Sequence, residues 1–338
     1  MEEKISLKKI ADICGVSVAT VSRVINQNGR FSPETGERVR RVIEEYNYHP
    51  NQIAKGLRTN RLNSVGVVVP DITNEFFASI VRALQNRLFA EGYSCLIFNT
   101  DESKEIELQC IANLKALNIS SVVFINSKCK TKELLNWDIP VFYVDREPDA
   151  SFKGENSIFL SSDHEEGGYL AGRELARCGC RTVGCVTALE DASVTRLRRA
   201  GFFRACREFG LELSQDLIFS PKEVSFQSGY DIIRRALQEG KRFDGLFCET
   251  DWLAIGALSA LLEQGIAVPE QVQLVGFDDI TAARTARRPL TTVHQPSAQI
   301  GMQLAELILA TMSGCTLPQR EIKLPVHLVR RDSTRPAI

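Results

Sequence analysis

From Ser64 onward, short runs of apolar residues alternate with longer stretches in which apolar residues recur at helical spacing. The runs cover residues 64–69, 93–98, 121–125 and 141–144, and the pattern restarts at 182–186, 245–247 and 273–277. Runs that are apolar at consecutive positions are typical of parallel strands whose two faces are both covered by helices. Two such series predict an α/β core of two doubly wound parallel-sheet lobes with a ligand cleft between them.

The first 61 residues differ in charge from the rest of the chain. They carry 11 Lys and Arg against 7 Asp and Glu, whereas the whole chain carries 41 and 42. The head therefore has a net charge of +4 and the remainder −5. A small basic head on a larger acidic body predicts a polyanion-binding module joined to a second unit.

The pattern within this head predicts an all-α helix-turn-helix unit. Apolar residues at helical spacing favour helices over 7–14 and 18–25, separated by Gly15, which can adopt the positive φ that ends a helix. Pro33 lies at the first turn of a third helix that ends near Tyr46. Two short helices joined by a tight turn form the helix-turn-helix motif of DNA-binding proteins.

The second helix of such a motif lies in the major groove, with its first residues at the base edges. We expect Val18 and Ala19 to make apolar contacts, for instance with a thymine methyl, and Arg23 to bind guanine O6 and N7. Phosphate contacts are expected from Ser17, Thr20, Ser22 and Asn26. A bare three-helix packing unit with a solvated arginine is the alternative.

Three segments of the head carry a resemblance to a known family. They read Leu-Lys-Lys-Ile-Ala at 7–11, Gly-Val-Ser-Val-Ala-Thr-Val-Ser-Arg-Val-Ile-Asn at 15–26, and Tyr-His-Pro-Asn-Gln-Ile-Ala-Lys-Gly-Leu-Arg at 48–58. Together they resemble the lactose/galactose repressor family, and the resemblance covers nearly the whole chain. It implies a DNA-binding domain at 1–49, a hinge helix and linker at 50–61, and an effector-binding core at 62–338.

In that family the hinge becomes helical only on the operator, and a leucine at the position of Leu57 wedges into the minor groove. The resemblance places Asn51, Ala54 and Lys55 at the DNA as well. A short segment that contains Gly56 is a marginal helix on its own, so pairing with a second hinge on DNA could stabilise it. We expect a near-palindromic operator with a central C-G or T-A step, where stacking is weak.

The core of the family is similar to type I periplasmic sugar-binding proteins, in which the chain crosses between the lobes three times. We expect crossings near Ser161, Pro289–Leu290 and Leu324. These give an N-lobe of about 62–161 plus 291–322 and a C-lobe of about 163–289 plus 325–338.

Effector contacts are expected at the ends of the strands. Asn74, Phe76 and Phe77 resemble the Asn-x-Phe-Phe of ribose-binding relatives, whose aromatic rings stack on a sugar. Asp145 and Arg146 offer an acceptor and a donor to vicinal hydroxyls, unless they form a surface ion pair. The resemblance also implies effector contacts at Arg196, Asp278 and Gln295, and it supports Arg198 and Arg199 less strongly. Thr250 is expected at the effector as well, although it departs from the resemblance, as does Val224, because sugar-binding members often carry Asn and an aromatic residue there.

These residues predict a dimeric transcriptional regulator, typically a repressor, controlled by a small carbohydrate such as a pentose. Two alternatives stay open. Val69–Asn74 resembles the catabolite-control branch, whose corepressor is a phosphorylated carrier protein, and a purine-responsive repressor is the other. The sequence does not distinguish an inducer from a corepressor.

Enzymes and metal sites are disfavoured. Ser161-Ser162-Asp163-His164 contains the residue types of a hydrolase, but neighbours in sequence seldom have triad geometry and no Gly-x-Ser-x-Gly is present. The ten cysteines include no Cys-x-x-Cys pair, so no metal or other cofactor is expected. The N-terminus lacks a secretory signal and no apolar run could span a membrane, so we expect a cytoplasmic protein. The C-terminus lacks a leucine-heptad helix, which favours a dimer.

Overall fold

The computed structural model describes residues 5–25, 27–48, 63–128, 137–147, 157–188, 193–315 and 320–336. Asn26 and the whole predicted hinge, with Asn51, Ala54, Lys55 and Leu57, lie outside the described residues. The chain separates into two compact units, Met1–Leu62 and Asn63–Ile338.

The first unit contains the helices α1 (Leu7–Cys14), α2 (Val18–Ile25) and α3 (Pro33–Glu45). Gly15 ends α1 with a φ of 63°. The hydroxyl of Ser17 accepts a hydrogen bond from the backbone N–H of Thr20 at 3.1 Å and so caps α2. Glycine at the end of one helix and serine at the start of the next are the features that made this turn predictable.

The three helices share one small core. Ile10 from α1, Val21 from α2 and Val39 from α3 are fully buried and belong to one cluster of apolar side chains. These positions are the inward-facing ones of the predicted helical periodicity. The helix-turn-helix prediction is therefore confirmed.

The second unit begins with a six-stranded sheet. Its strands and intervening helices are β1 (Ser64–Val69), α4 (Glu75–Ala90), β2 (Ser94–Asn99), α5 (Lys104–Ala116), β3 (Ser121–Ile125), β4 (Val141–Val144) and β5 (Ser157–Ser162). A later strand, β11 (Glu321–Leu324), completes the order β11-β5-β4-β3-β1-β2, and each neighbouring pair is parallel.

The second sheet repeats this architecture. Its elements are α6 (His164–Arg177), β6 (Val183–Val186), α7 (Ser193–Phe209), β7 (Ile218–Phe219), α8 (Phe226–Gln238), β8 (Gly245–Cys248), α9 (Asp251–Glu263), β9 (Gln273–Asp278), α10 (Thr281–Thr285) and β10 (Thr291–His294). Strand β12 (His327–Val329) completes the order β12-β10-β9-β8-β6-β7 and is antiparallel to β10. Helix α11 (Ser297–Met312) packs against α4 of the first sheet. The predicted pair of α/β lobes is confirmed.

Within the described residues, the chain passes between the lobes at Asp163, at Gln295–Pro296 and between β11 and β12. The second crossing was predicted near Pro289–Leu290, with residues 291–322 in the N-lobe, and that boundary is wrong. Strand β10 pairs with β9, so it belongs to the C-lobe. The continuous apolar pattern of β10 fits either sheet, and only the pairing partner decides between them.

The crossing segments lie beside one another. The backbone N–H of Asp163 donates to the carbonyl of Leu324 at 2.8 Å, which joins the first crossing to the third. His294, which precedes the second crossing, pairs with His327, which follows the third. Within the described residues, no helix is long and apolar enough to cross a membrane.

Helices α6 and α7 approach each other so closely that glycine is required at the contact. A Cβ on Gly168 would overlap the carbonyl oxygen of Arg198, and one on Gly201 would overlap that of Glu165. These obstacles are backbone atoms, which cannot rotate aside as a flexible side chain can. The two helices therefore hold each other's backbones at a fixed separation.

This contact leads to a stability prediction. Gly168→Ala should force α6 and α7 apart and lower the free energy of unfolding by about 1–3 kcal/mol or more. Urea denaturation of the full chain followed by circular dichroism measures the change. Arg173→Ala, an exposed position on the same helix, is the matched control, and equal stability of both variants would contradict the close approach.

Candidate functional site

The exposed face of α2 carries the side chains predicted to read DNA. Val18, Ala19 and Arg23 are exposed, and Val18 retains 40% of its surface although it is apolar. They line a concave surface together with Ser22, Asn28 and Gly29. Asn28 and Gly29 were not predicted, because they follow α2 and only the folded chain returns them to its exposed face.

Two of the predicted phosphate-binding hydroxyls also have a structural role. Ser17 caps α2, and its hydroxyl lies 2.9 Å from that of Thr20. Each hydroxyl can still accept or donate a further hydrogen bond. The N-terminus of α2 thus presents both hydroxyls beside the exposed Val18 and Ala19.

A cavity of about 370 Å³ lies between the two lobes of the second unit. The N-lobe contributes Asn74, Phe76, Phe77, Asn126, Lys128 and Asp145 to its wall, among others. The C-lobe contributes Val194, Thr195, Arg198, Val224, Thr250 and Asp278. The structure therefore brings together at the cleft six of the nine predicted effector residues: Asn74, Phe76, Phe77, Asp145, Thr250 and Asp278.

The aromatic pair stands at the start of α4. Asn74 caps this helix, since its side-chain oxygen accepts from the N–H of Phe76 at 3.0 Å. The rings of Phe76 and Phe77 meet edge to face with their centroids 5.4 Å apart, and both line the cavity. The N-lobe therefore offers an apolar aromatic surface at one side of the cleft.

The arginine that lines the cavity is Arg198, whereas Arg196, the arginine predicted to bind the effector, does not line it. Arg196 is exposed, whereas Arg198 is 4% exposed and lines the cavity. Helical periodicity explains the difference: Arg198 lies three and four residues before the buried Gly201 and Phe202, so it shares their face of α7. That spacing was present in the sequence and would have identified the arginine that lines the cavity.

Arg198 is held by groups from several elements of the C-lobe. Its guanidinium lies 3.8 Å from the centre of the Phe277 ring and donates a hydrogen bond to the backbone carbonyl of Glu249. One terminal nitrogen is 3.7 Å from a carboxylate oxygen of Asp278. The same oxygen accepts from the side-chain amide of Gln295 at 2.7 Å. Gln295 is fully buried and absent from the cavity wall, so it orients Asp278 and does not face the cleft.

The neighbouring residues Asp145 and Arg146 differ in where their side chains lie. Asp145 is buried and lines the cavity, whereas Arg146 is not part of the wall and donates to the carbonyl of Ser127 at 3.4 Å. The structure therefore does not place Arg146, a predicted effector residue, at the cavity wall. Asp145 has a φ of 73° and Asp278 a φ of 114°. A positive φ is costly for residues with a Cβ, least so for Asn and Asp, and such strain clusters at ligand sites.

Burial governs the protonation of the acids beneath the cleft. Burial raises the pKa of Asp278 to about 7, although Arg198 and the amide of Gln295 oppose the shift. Burial raises the pKa of Glu249 to about 7 as well. Asp251 has a pKa well above its usual value because of burial and because Asp278 lies close by. The floor of the cleft therefore carries less negative charge near neutral pH than its carboxyl groups suggest.

Direct contacts join the lobes beside the cavity. The carboxylate of Glu75, at the start of α4, accepts from the N–H of Thr281 at 2.8 Å and from the hydroxyl of the same residue. On the other side, the N–H of Glu147 donates to the hydroxyl of Ser193 at 2.9 Å. These contacts would break if the lobes separated. Among the described residues, no group of three or more His, Cys, Asp and Glu could hold a metal ion.

The structure resembles solved repressors over nearly its whole length. The lac repressor dimer bound to operator and an anti-inducer has a TM-score of 0.88 at 24% identity, over 99% of this chain and 100% of that one, and shares its fold. A LacI family transcriptional regulator from Enterococcus faecium with bound ribose has a TM-score of 0.72 at 27% identity, over 81% of this chain and 100% of that one.

Curated relatives match at similar levels. The HTH-type transcriptional repressor PurR of Haemophilus influenzae is 30% identical over 313 residues, 90% of each chain. Catabolite control protein A of Priestia megaterium is 27% identical over 336 residues, 98% of this chain and 99% of that protein.

Two family models match separate parts of the chain. That of the bacterial regulatory proteins, lacI family, matches residues 6–51, and that of the periplasmic binding protein-like domain matches residues 173–334. The first range contains α1, α2 and α3, and the second contains most of the C-lobe. The chain therefore belongs to the LacI family and is a DNA-binding transcriptional repressor.

Proposed function

We propose that this repressor binds a near-palindromic operator as a homodimer and is controlled by a small, unphosphorylated carbohydrate of pentose size in the cleft. The observation that supports the proposal is the lining of the cavity. Phe76 and Phe77 lie on its wall together with Asp145, Arg198 and Asp278. Aromatic rings stack on the apolar face of a sugar, and the charged groups donate to and accept from its hydroxyls.

The size of the cavity favours a monosaccharide. Its volume of about 370 Å³ lies near the lower end of the range of about 300–1,000 Å³ that is common for ligand pockets. The ribose-bound regulator from Enterococcus faecium supports the same ligand class for this chain.

The charges of the wall disfavour a phosphate group. The cations among the described lining residues are Lys128, Arg198 and Lys222, of which Lys128 forms an ion pair with Glu102 at 2.8 Å and Arg198 faces Asp278 and the Glu249 carbonyl. The wall also carries the carboxyl groups of Asp71, Asp101, Asp145 and Glu223. The acids of this described wall outnumber the cations, so a phosphate would meet net repulsion.

The names of relatives favour two other effectors. PurR of Haemophilus influenzae points to a purine-responsive repressor, and catabolite control protein A points to a phosphorylated carrier protein as corepressor. A protein corepressor makes no use of two aromatic rings that face Asp145 and Arg198 across the cleft, whereas a purine base would stack on the same rings. Both alternative effectors are therefore included in the test below.

Exposed apolar side chains are available for a dimer interface. Phe89 on α4 is 74% exposed and Ile97 on β2, at the edge of the N-lobe sheet, is 41% exposed. Phe226, at the start of α8 in the C-lobe, is 38% exposed. Exposed apolar side chains mark surfaces that associate where they form a contiguous patch. We propose that the homodimer buries these side chains.

The effector prediction is tested by a thermal-shift screen of the full chain. D-ribose or another free pentose at 100 times its dissociation constant should add about 2.7 kcal/mol of stability, whereas ribose 5-phosphate and hypoxanthine should add much less. Arg198→Gln should weaken binding at least about tenfold, because it removes a charged donor. Arg196→Gln on the same helix is the matched control.

A rise in melting temperature with hypoxanthine alone would favour a purine as the effector. If no compound raises the melting temperature and the phosphorylated carrier protein is captured, the effector is the protein corepressor and not a carbohydrate. Equal effects of the Arg196 and Arg198 variants would contradict the assignment of Arg198.

The contact of Glu75 with Thr281 yields a second prediction. Glu75→Ala should weaken pentose binding by about three- to tenfold, because the closed arrangement loses hydrogen bonds that the open one lacks. Glu75→Gln keeps one acceptor for the N–H of Thr281 and should lose less. Isothermal titration calorimetry measures both, and equal affinities for wild type and the alanine variant would exclude this contact from closure.

For the head, we predict that selection from random DNA duplexes yields a near-palindrome with a central C-G or T-A step. Arg23→Ala should lose about 1–3 kcal/mol of discrimination at one base pair of each half-site. Quantitative gel-shift titration at fixed salt measures it, with Arg41→Ala on α3 as a control that removes the same charge. Unchanged sequence preference in the Arg23 variant would contradict the placement of α2 in the major groove.

A further inference from the structure

His164 is a fully buried histidine that the proposed function does not use. It is the first residue of α6, directly after the first crossing between the lobes, and only 1% of its surface is exposed. It does not line the cavity. Its sequence neighbourhood, Ser161-Ser162-Asp163-His164, carries residue types of a hydrolase, but Asp163 instead caps α6 through the N–H of Glu166.

The imidazole of His164 lies between the polar groups of the two lobes. Its Nδ1 accepts a hydrogen bond from Nε of Arg198 at 3.3 Å. Its Nε2 lies 3.0 Å from a carboxylate oxygen of Asp145, in an electrostatic contact that is not aligned as a hydrogen bond. The ring stacks on Phe277 with the centroids 6.1 Å apart, and Phe277 also carries Arg198 on its face.

These contacts fix the tautomer of the ring. The Nε of a guanidinium can only donate, so Nδ1 of His164 must be unprotonated and the ring proton lies on Nε2. That nitrogen lies 3.0 Å from a carboxylate oxygen of Asp145. A second proton on Nδ1 would point at the N–H of Arg198 and abolish the hydrogen bond.

The surroundings keep this ring neutral. Burial lowers the pKa of His164 and the charge of Arg198 lowers it further, whereas Asp145 and Asp163 oppose the shift without reversing it. Asp278 also belongs to the surroundings, since it lies 3.7 Å from Arg198. A neutral imidazole with one donor and one acceptor can join a carboxylate on one side to a guanidinium on the other.

We propose that His164 is a positioning residue of the effector site that holds Asp145 of the N-lobe and Arg198 of the C-lobe in register across the cleft. The proposal rests on the proposed function, since it takes this cleft as the effector site. Without His164, Nε of Arg198 loses its acceptor and both charged side chains regain rotational freedom. Effector contacts from the two lobes then no longer converge on one ligand.

Three substitutions separate the two contacts of the ring. In His164→Asn the amide oxygen can take the place of Nδ1 and keep Arg198, whereas Asp145 is lost. In His164→Gln the amide nitrogen can take the place of Nε2 and keep Asp145, whereas Arg198 is lost. His164→Leu removes both contacts at similar volume. His49→Leu, in the head and not in the effector-binding core, is the control for the loss of a histidine as such.

The first test needs no effector. Nitrogen-15 NMR of the full chain resolves the tautomers of its four histidines, with His164 assigned by its disappearance in the variants. We expect a neutral ring with the proton on Nε2 that does not titrate between about pH 6 and 8. The Nε resonance of Arg198 should move in His164→Leu and His164→Gln but stay near its wild-type position in His164→Asn. The proposal would be overturned by a proton on Nδ1, by titration near the usual histidine value, or by an Arg198 resonance that stays unchanged in all three variants.

The second test uses D-ribose as the probe in calorimetric titrations of the same proteins. His164→Leu should weaken binding by about tenfold or more, with Asn and Gln between it and the wild type. The His49→Leu control should stay within about twofold. Wild-type affinity in His164→Leu would overturn the positioning role. If D-ribose does not bind the wild type, the pentose part of the proposed function fails, and the NMR result alone decides the role of His164.

Discussion

The burial of Arg198 is the constraint on which the arrangement of the cleft depends. A guanidinium keeps its charge at every ordinary pH, so its burial is tolerable only when its donors find acceptors. Here Phe277 covers its face, and His164, the Glu249 carbonyl and Asp278 surround its edge. Elements that are far apart in the sequence must therefore meet at one point, and the C-lobe wall of the cleft is assembled around that point.

The carboxyl groups near the cleft differ in pKa because their surroundings differ. Asp279, next to Asp278 in sequence, contacts His294 and Arg331, which hold its pKa at about 2 despite partial burial. Asp278 faces Arg198, whose donors also serve His164 and the Glu249 carbonyl, and burial raises the pKa of Asp278 to about 7. One of two adjacent aspartates thus binds the strands of the C-lobe together, whereas the other remains available to a ligand.

Much of this architecture was predictable because it depends on local pattern. The glycine and serine of the turn between α1 and α2, and the unbroken apolar strands, are signals that a few neighbouring residues carry. The helical face of α7 was also a local signal, and it distinguishes Arg198 from Arg196. The lobe to which β10 belongs depends on its pairing with β9, and the turn of Arg146 away from the cleft depends on Ser127. Those outcomes depend on partners distant in sequence, which no local pattern encodes.

The crossing segments lie side by side, linked by the hydrogen bond from Asp163 to Leu324 and by the pairing of His294 with His327. Strands joined in this way form a narrow ribbon, which bends readily across its thin direction and resists shear within its plane. Such a ribbon opposes sliding of one lobe past the other more than it opposes bending about its width. A ligand that contacts both walls of the cleft sets a single angle, and that angle is the quantity through which a bound molecule can act on the rest of the protein.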